Sequence, residues 1–340
     1  MSLVRRIGTT SLMYRDPGWE KGCQKDRDAV VAYIREAGRL DVDILLFQEE
    51  YSFAAHELSA YPGRKRFSPA EPSRPPVGNP SYADLAISLD HEYVEQVRAV
   101  SSEAGVNVVL PTLERDGRFV YNSLVPITKA GEVLRPYRKM FPVAGYEDLG
   151  EMEHACPGDD NSAQLIADIP VSFAICFDAH FDEVFAAARG SGAKLVLWSS
   201  MWMGGLWLRS QAIRYGLHLV SSTPDGCTFV DMDGTVIAES FTMWPQTAGF
   251  NNLMFEDINF DKDIFHCYSQ GRLDKVLGKY GPRVHIENRP QDSIAVLESL
   301  DPDLRIEDIK EEFGLMCWYD YIQRSREARN EAQRRWSHIE

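Results

Sequence analysis

Short apolar segments alternate with longer amphipathic segments over the first two-thirds of this 340-residue chain. Between residues 25 and 40 the apolar side chains recur at helical spacing, and the apolar run DILLF follows at 43–47 with the length of a buried strand. A second such run, VSFAICF at 171–177, again precedes a helical segment. Because strands and helices that alternate along a chain bury their apolar faces against one another, this pattern predicts an α/β fold.

The alternation weakens near residue 245, and this change divides the chain into two parts. Residues 1–250 are predicted to form one domain, and residues 251–340 a C-terminal extension that is partly helical. In the extension we expect one helix to begin at Asp301-Pro302, a favourable N-cap and first-turn pair, and another at about Trp318. The extension is expected to wrap the domain or to join an interface between copies of the chain.

Acidic residues outnumber basic ones, 51 to 36, which gives a net charge of −15. Since such a surface repels phosphate backbones, a nucleic-acid partner is not expected. The longest uncharged apolar run, 195–208, is shorter than the roughly 20 residues that cross a bilayer, so a membrane partner is not expected either. The N-terminal segment lacks the apolar core of a signal peptide, and we expect a cytoplasmic protein with free thiols at its scattered cysteines.

Reactive side chains gather in four segments, at 48–50, 138–139, 147–158 and 176–180. A thiol such as that of Cys176 is a good nucleophile only as the thiolate, which needs a neighbouring base or cation. A carboxylate such as that of Glu49 can accept the thiol proton. An ammonium group such as that of Lys139 can stabilise the oxyanion that forms when sulfur attacks a carbonyl. These residue types therefore favour nucleophilic catalysis by cysteine.

Three of these segments resemble the signature segments of the nitrilase or carbon–nitrogen hydrolase superfamily, and in particular its amidase-like branch. They are, in the same chain order, DILLFQEEY at 43–51, RPYRKMF at 135–141 and FAICFDAHF at 173–181. The string Tyr121-Asn122-Ser123 is similar as well, and the resemblance covers roughly residues 4–245. It implies a four-layer αββα sandwich, assembly into homodimers or larger homo-oligomers, and catalysis without a metal or organic cofactor.

The resemblance also implies a role for each matching residue. Cys176 would be the nucleophile, Glu49 the general base and then the general acid, and Lys139 an oxyanion donor. The main-chain N–H of Phe177 would be the second oxyanion donor. Trp202 is expected to line the acyl pocket, although an aromatic-rich segment of this kind is about equally typical of a core or an oligomer interface.

Many members of the superfamily have a further glutamate in the active site, followed by five residues and then Pro-Gly. Glu151 matches this spacing, with Pro157-Gly158 after it. Glu147 and Glu153 are alternatives, because some amidase branches use other spacings.

The chain departs from the family pattern at two positions. Gln48 stands where proline usually precedes the catalytic glutamate, and Glu50 follows, so that only the register of the family selects Glu49. His180 stands where an arginine helps carbamoyl-amino-acid hydrolases to bind the substrate carboxylate. The second departure weakens the assignment to carbamoyl substrates.

The resemblance implies cysteine-dependent hydrolysis of a small-molecule amide to a carboxylic acid and ammonia, through a thioester. Nitrilases proper tend to have Cys-Trp-Glu where this chain has Cys176-Phe177-Asp178, and this difference favours an amide over a nitrile. Hydrolysis of a nitrile or of an N-carbamoyl compound is the alternative within the family.

Two hypotheses come from other classes of protein. The first is a catalytically inactive binding or assembly protein, against which the presence of the glutamate, the lysine and the cysteine argues. The second is a Mg²⁺-dependent phosphodiesterase, because LLFQE at 45–49 and GDDN at 158–161 resemble metal-binding segments of that family. The C-terminal Ser-Asp-His which that family needs is absent from this sequence.

Overall fold

The structure, a computed structural model, describes residues 3–12, 19–49, 85–145, 151–241 and 252–337. Within these ranges the strands form two sheets of six strands and a smaller sheet of three. None of the helices in these ranges is long and apolar enough to cross a membrane.

The first sheet contains the strands that come early in the chain and one that comes late. Its strands are β1 Val4–Thr10, β2 Ile44–Leu46, β3 Asn107–Asp116, β4 Phe119–Ile127, β5 Tyr137–Arg138 and β12 Leu253–Asn259. They lie in the order β12-β1-β2-β3-β4-β5. The central strands β1, β2 and β3 are parallel, so their carboxyl ends meet at one edge of the sheet.

The second sheet is built in the same way. Its strands are β6 Gln164–Ile166, β7 Ile169–Ile175, β8 Leu195–Ser199, β9 His218–Ser222, β10 Gly226–Val230 and β11 Val236–Phe241. They lie in the order β11-β10-β9-β8-β7-β6, and β7, β8 and β9 are parallel. The segment that begins with Cys176 follows the carboxyl end of β7 directly.

Helices cover the outer face of each sheet. The helices α1 Trp19–Arg39 and α2 Glu92–Ala104 share a core with the first sheet, and α3 Asp182–Gly190 and α4 Leu206–Tyr215 share one with the second. Alternating side chains decide which core a strand residue joins: Ile44 and Leu46 face the opposite sheet, whereas Leu45 faces the helices. The predicted α/β fold with four αββα layers is thereby confirmed.

The C-terminal part of the chain forms a third sheet with helices of its own. Its elements are β13 Lys262–His266, α5 Gln270–Tyr280, β14 Val284–Arg289, β15 Ile294–Ser299, α6 Ile306–Phe313 and α7 Trp318–Trp336. The strands pair antiparallel in the order β13-β15-β14 over a separate hydrophobic core. Residues 253–259 belong instead to the first sheet as β12, so the extension predicted from residue 251 starts with a strand of the main sandwich.

One of the two helix starts predicted in the extension was wrong. Helix α7 begins at Trp318 as predicted, but α6 begins at Ile306, after Asp301-Pro302. The carboxylate of Asp301 accepts the main-chain N–H of Asp303 at 2.8 Å and pairs with Arg283 at 2.5 Å. Because these partners hold Asp301 in a turn, it does not cap a helix.

Candidate active site

The two sheets bring Glu49 and Cys176 to the same edge of the sandwich. Ile175 at the end of β7 pairs with Ser199 at the end of β8. The hydroxyl of Ser199 donates across the sandwich to the carbonyl of Phe47 at 2.8 Å. Since Phe47 lies two residues before Glu49, and Ile175 lies directly before Cys176, this hydrogen bond ties together the two strand ends that carry them.

Gln48, which departs from the family pattern, has a structural role beside Glu49. Its buried amide accepts the main-chain N–H of Leu12 at 3.1 Å and donates to the Leu12 carbonyl. A proline at position 48 has no side-chain amide to make these contacts. In this chain the amide joins the segment after β2 to the segment after β1.

Lys139 is almost fully buried, with 1% of its surface exposed, and it lies between two carboxylates. Its ammonium donates to Oε1 of Glu49 at 3.0 Å and to Oε2 of Glu151 at 2.7 Å. Its main-chain N–H donates to the carbonyl of Asn122 at 2.8 Å, which extends the pairing of β4 with β5. The structure therefore brings three of the predicted site residues together.

A residue without a predicted role completes this cluster. The side-chain amide of Asn122 donates to Oε1 of Glu49 and to Oε1 of Glu151, each at 2.9 Å. The main-chain N–H of Val143 donates to Oε2 of Glu151 at 3.0 Å. The string Tyr121-Asn122-Ser123 was part of the family resemblance, but nothing in its local pattern indicates that Asn122 contacts both carboxylates.

Cys176 lies in a strained turn at the end of β7. Its φ angle is +46°, a left-handed value that is uncommon for a residue other than glycine, and a short 3₁₀ turn from Cys176 to His180 begins there. The indole N–H of Trp198 donates to the carbonyl of Cys176 at 3.1 Å. A strained residue of this kind persists only where its surroundings hold it in place.

The buried carboxylate of Asp178 holds this turn against the segment that carries Lys139. It accepts the main-chain N–H groups of Ile175 and Phe141, each at 2.9 Å, and the hydroxyl of Tyr137 at 2.7 Å. Burial raises the pKa of Asp178 to about 6, against the opposing effects of Lys139 and of these donors. Asp178 thus joins the turn at Cys176 to the segment of Lys139, and the local sequence did not indicate this contact.

Burial and the neighbouring charges set the protonation of Cys176. Burial raises the pKa of the Cys176 thiol to about 12, and the charge of Glu49 adds to this effect. Lys139 and hydrogen bonds with the Ser200 side chain and the Met201 main chain act in the opposite direction. At neutral pH the resting cysteine is therefore a thiol, which needs a base to become a nucleophile.

Glu49 and Lys139 influence each other strongly because both are buried. Burial raises the pKa of Glu49, Lys139 lowers it, and the nearby carboxylate of Glu151 raises it again. Burial alone would lower the pKa of Lys139, but Glu49 and Glu151 raise it well above its ordinary value. Lys139 is therefore a charged ammonium, and Glu49 binds a proton more tightly than an ordinary glutamate does.

The other predicted site residues fall into three groups. Phe177 and Trp202 both lie against His180, since Trp202 stacks on its ring at 5.2 Å and Phe177 meets it edge-on at 5.2 Å. Glu151 lies within the cluster. Three alternatives lie outside the residues that the structure describes. They are Glu147 and the side chain of Glu153, the alternatives to Glu151, and Glu50, the alternative to Glu49.

The segment that resembles a metal-dependent phosphodiesterase has other partners here. The amide of Asn161 donates to the carbonyl of Val184 at 2.9 Å, and its oxygen accepts the hydroxyl of Ser172 at 2.6 Å. Both groups of this side chain are used to join β7 to α3. Within the described ranges, no group of three or more His, Cys, Asp and Glu side chains is arranged to hold a metal ion.

Gly158 supports the segment that carries Lys139. Its N–H donates to the carbonyl of Lys139 at 2.8 Å, and a Cβ atom at this position would lie 2.2 Å from the carbonyl oxygen of Arg138. A side chain at position 158 therefore has to displace the main chain next to Lys139.

We expect Gly158→Ala to lower the free energy of unfolding by about 1–3 kcal/mol and to reduce any catalytic activity, because the added methyl group forces the main chain apart. Gly271→Ala in α5 is the matched control, since a Cβ atom there meets nothing within 4 Å. Chemical denaturation of both variants checks the expectation. A Gly158→Ala variant as stable as Gly271→Ala would contradict it.

Comparisons with known proteins concern the family and the fold of this chain. The pattern of the carbon–nitrogen hydrolase family matches residues 23–259. An aliphatic nitrilase from Sinorhizobium fredii is 25% identical over 175 residues, a match that spans 49% of this chain and 52% of the nitrilase, or about half of the relative's length.

Solved structures with a similar fold include two from the nitrilase superfamily. The crystal structure of an amidase from Nesterenkonia sp. superposes with a TM-score of 0.56 at 19% identity, covering 82% of this chain and 97% of the amidase. Nit3 from Saccharomyces cerevisiae, of branch 10 of the superfamily, superposes with a TM-score of 0.55 at 14% identity, covering 76% of this chain and 90% of its own. At these identities the similarity shows the fold.

Proposed function

The chain belongs to the carbon–nitrogen hydrolase family, and from this premise we propose that it hydrolyses the carbon–nitrogen bond of a small-molecule amide through a thioester on Cys176. The observation that carries the proposal is the buried ammonium of Lys139, which bridges Glu49 and Glu151 beside Cys176. A base, a cation and a thiol in one cluster are what acyl transfer by cysteine needs.

In the first half of the reaction, Glu49 accepts the proton of the Cys176 thiol, and the thiolate attacks the amide carbonyl carbon. The oxyanion that forms is held by the ammonium of Lys139 and the main-chain N–H of Phe177. Glu49 returns the proton to the departing nitrogen, the carbon–nitrogen bond breaks, and ammonia or an amine leaves the acyl group on sulfur as a thioester. Acid–base catalysis of this kind contributes about 10²- to 10⁴-fold to the rate.

In the second half, water takes the place of the leaving group. Glu49 accepts a proton from the water as its oxygen attacks the thioester carbon, and the same two donors hold the second oxyanion. The carbon–sulfur bond then breaks, the sulfur receives the proton from Glu49, and the carboxylic acid leaves. Residues of the Trp202 segment, which lie beside Ser200 and the 3₁₀ turn, line the acyl side in this proposal.

An assay of ammonia release tests the proposal directly. We expect the purified chain to release ammonia from one or more small amides, and intact-mass spectrometry of the quenched enzyme to show an acyl group on Cys176. Nitriles and N-carbamoyl compounds, tested in parallel, cover the alternatives, of which the nitrile is favoured by the partial match to an aliphatic nitrilase. No release and no adduct from any of these classes would favour an inactive binding protein instead. A homodimer or larger homo-oligomer remains a prediction from the family resemblance.

We expect Glu151→Gln to shift the acid limb of the kcat/KM profile to lower pH. The negative charge of Glu151 raises the pKa of Glu49, so its removal lets Glu49 remain ionised in more acidic solution. The value of kcat is expected to fall as well, because Lys139 loses one of its two carboxylate partners.

The matched control for Glu151→Gln is Glu114→Gln. Glu114 is also buried, but its partners are Arg138 and Ser123. We expect its replacement to leave the position of the acid limb unchanged. An acid limb that stays in place, or moves to higher pH, in Glu151→Gln would contradict the expectation.

A further inference from the structure

Asn122 contacts three of the residues to which the proposed function gives a catalytic role. Its side-chain nitrogen lies 2.9 Å from a carboxylate oxygen of Glu49 and 2.9 Å from one of Glu151. Its main-chain carbonyl accepts the N–H of Lys139 at 2.8 Å. The residue is buried, with 1% of its surface exposed, and lies within β4.

The chemistry of an amide explains why these contacts matter. An amide NH₂ group has two hydrogens, so Asn122 can donate one to each carboxylate. Two buried carboxylates that face a single ammonium leave a net negative charge, and like charges so close repel one another. Lys139 and Asn122 each donate to both carboxylates, to the same oxygen of Glu49 and to different oxygens of Glu151, and these four hydrogen bonds tie the two groups to each other.

We propose that Asn122 is a positioning residue, which holds the carboxylates of Glu49 and Glu151 and the main chain of Lys139 in the arrangement that the hydrolysis requires. This inference rests on the proposed function, because the roles of the three residues come from it. Asn122 acts through these residues and makes no contact with the reacting atoms in the mechanism.

A positioning role predicts a change in pH dependence as well as in rate. Among the described residues, the groups that face Glu49 are the ammonium of Lys139, the carboxylate of Glu151, the thiol of Cys176 and the amide of Asn122. The Asn122 hydrogen bond lowers the pKa of Glu49, so its loss leaves Glu49 protonated to higher pH. The acid limb then moves to higher pH, opposite to the direction expected for Glu151→Gln.

The experiment compares Asn122→Leu with the matched control Asn107→Leu. Asn107 is also a buried asparagine in the first sheet, but its amide binds the Asp43 carbonyl at 2.7 Å and the Lys129 N–H at 3.0 Å. We expect Asn122→Leu to lower kcat/KM about 10- to 100-fold at neutral pH and to shift the acid limb upward. The control is expected to keep the wild-type acid limb.

A second variant covers the case in which the leucine variant misfolds, and a second measurement covers the case in which no substrate is known. Asn122→Ser is smaller, and its hydroxyl has a single hydrogen that cannot be donated to both carboxylates, so this variant tests the same contacts if the leucine variant does not fold. The pH dependence of Cys176 alkylation by iodoacetamide reports on Glu49 without any substrate, because the carboxylate accepts the thiol proton.

The outcomes separate this inference from the proposed function. Wild-type protein that is alkylated at Cys176 but hydrolyses no amide, nitrile or carbamoyl compound would overturn the proposed function. An active wild type whose Asn122 variants keep both the rate and the acid limb would overturn the positioning role alone. An acid limb that moves upward in both Asn122 variants, and not in Asn107→Leu, would support it.

Discussion

Cys176→Ala is expected to abolish turnover of every substrate that the wild type hydrolyses, because the proposed reaction has no other atom to carry the acyl group. The variant should fold as the wild type does, since alanine removes only the sulfur atom of a half-buried side chain. The assay is ammonia release under conditions where the wild type is readily measured. Appreciable residual turnover would show that the thioester mechanism is wrong.

Cys176→Ser should fail as well, although serine preserves the shape of the site. A hydroxyl is far less acidic than a thiol, and burial beside Glu49 already raises the pKa of the group at this position. Cys267→Ala, at a half-buried cysteine near the third sheet, is the matched control and should retain activity. Loss of activity in both alanine variants would indicate a general effect of removing a thiol.

Lys139→Met is expected to remove most activity and to destabilise the fold. Methionine fills a similar volume but leaves Glu49 and Glu151 buried without their shared cation. Breaking a buried ion pair from one side costs about 3–5 kcal/mol, and losing an oxyanion donor costs about 10²- to 10³-fold in kcat. Chemical denaturation and the ammonia assay measure the two effects separately.

The loss of stability in Lys139→Met should depend on pH in a defined direction. Without the ammonium, burial keeps the pKa of Glu49 in the folded state above that in the unfolded state. The folded protein then binds more protons than the unfolded one, so its stability increases as the pH falls and Glu49 becomes neutral. A loss of stability in Lys139→Met, relative to the wild type, that becomes larger as the pH falls would contradict the expected pairing of Lys139.

Lys262→Met is the matched control for this experiment. It removes a different ammonium, which is half-buried and pairs with Asp231 where the third sheet meets the turn after β10. We expect this variant to lose stability and to keep the activity of the folded fraction. Loss of activity in both variants to the same degree would show that the effect of Lys139→Met is not specific to the site.

The sequence alone was sufficient for the fold class and for the principal residues of the candidate site. The alternation of strand and helix segments depends on local periodicity and predicted an α/β fold, whereas the family resemblance implied the four layers that the structure shows. The order of Glu49, Lys139 and Cys176, and the spacing from Glu151 to Pro157-Gly158, follow the family pattern. These features could be predicted because each is carried by a short stretch of chain.

Only the tertiary structure determined the contacts that hold those residues in place. Gln48 binds the main chain of Leu12, and Asn122 reaches Glu49 and Glu151, although these partners are far apart along the chain. Which side chains meet across two sheets depends on strand order, register and the packing of one sheet on the other, and local periodicity contains none of these.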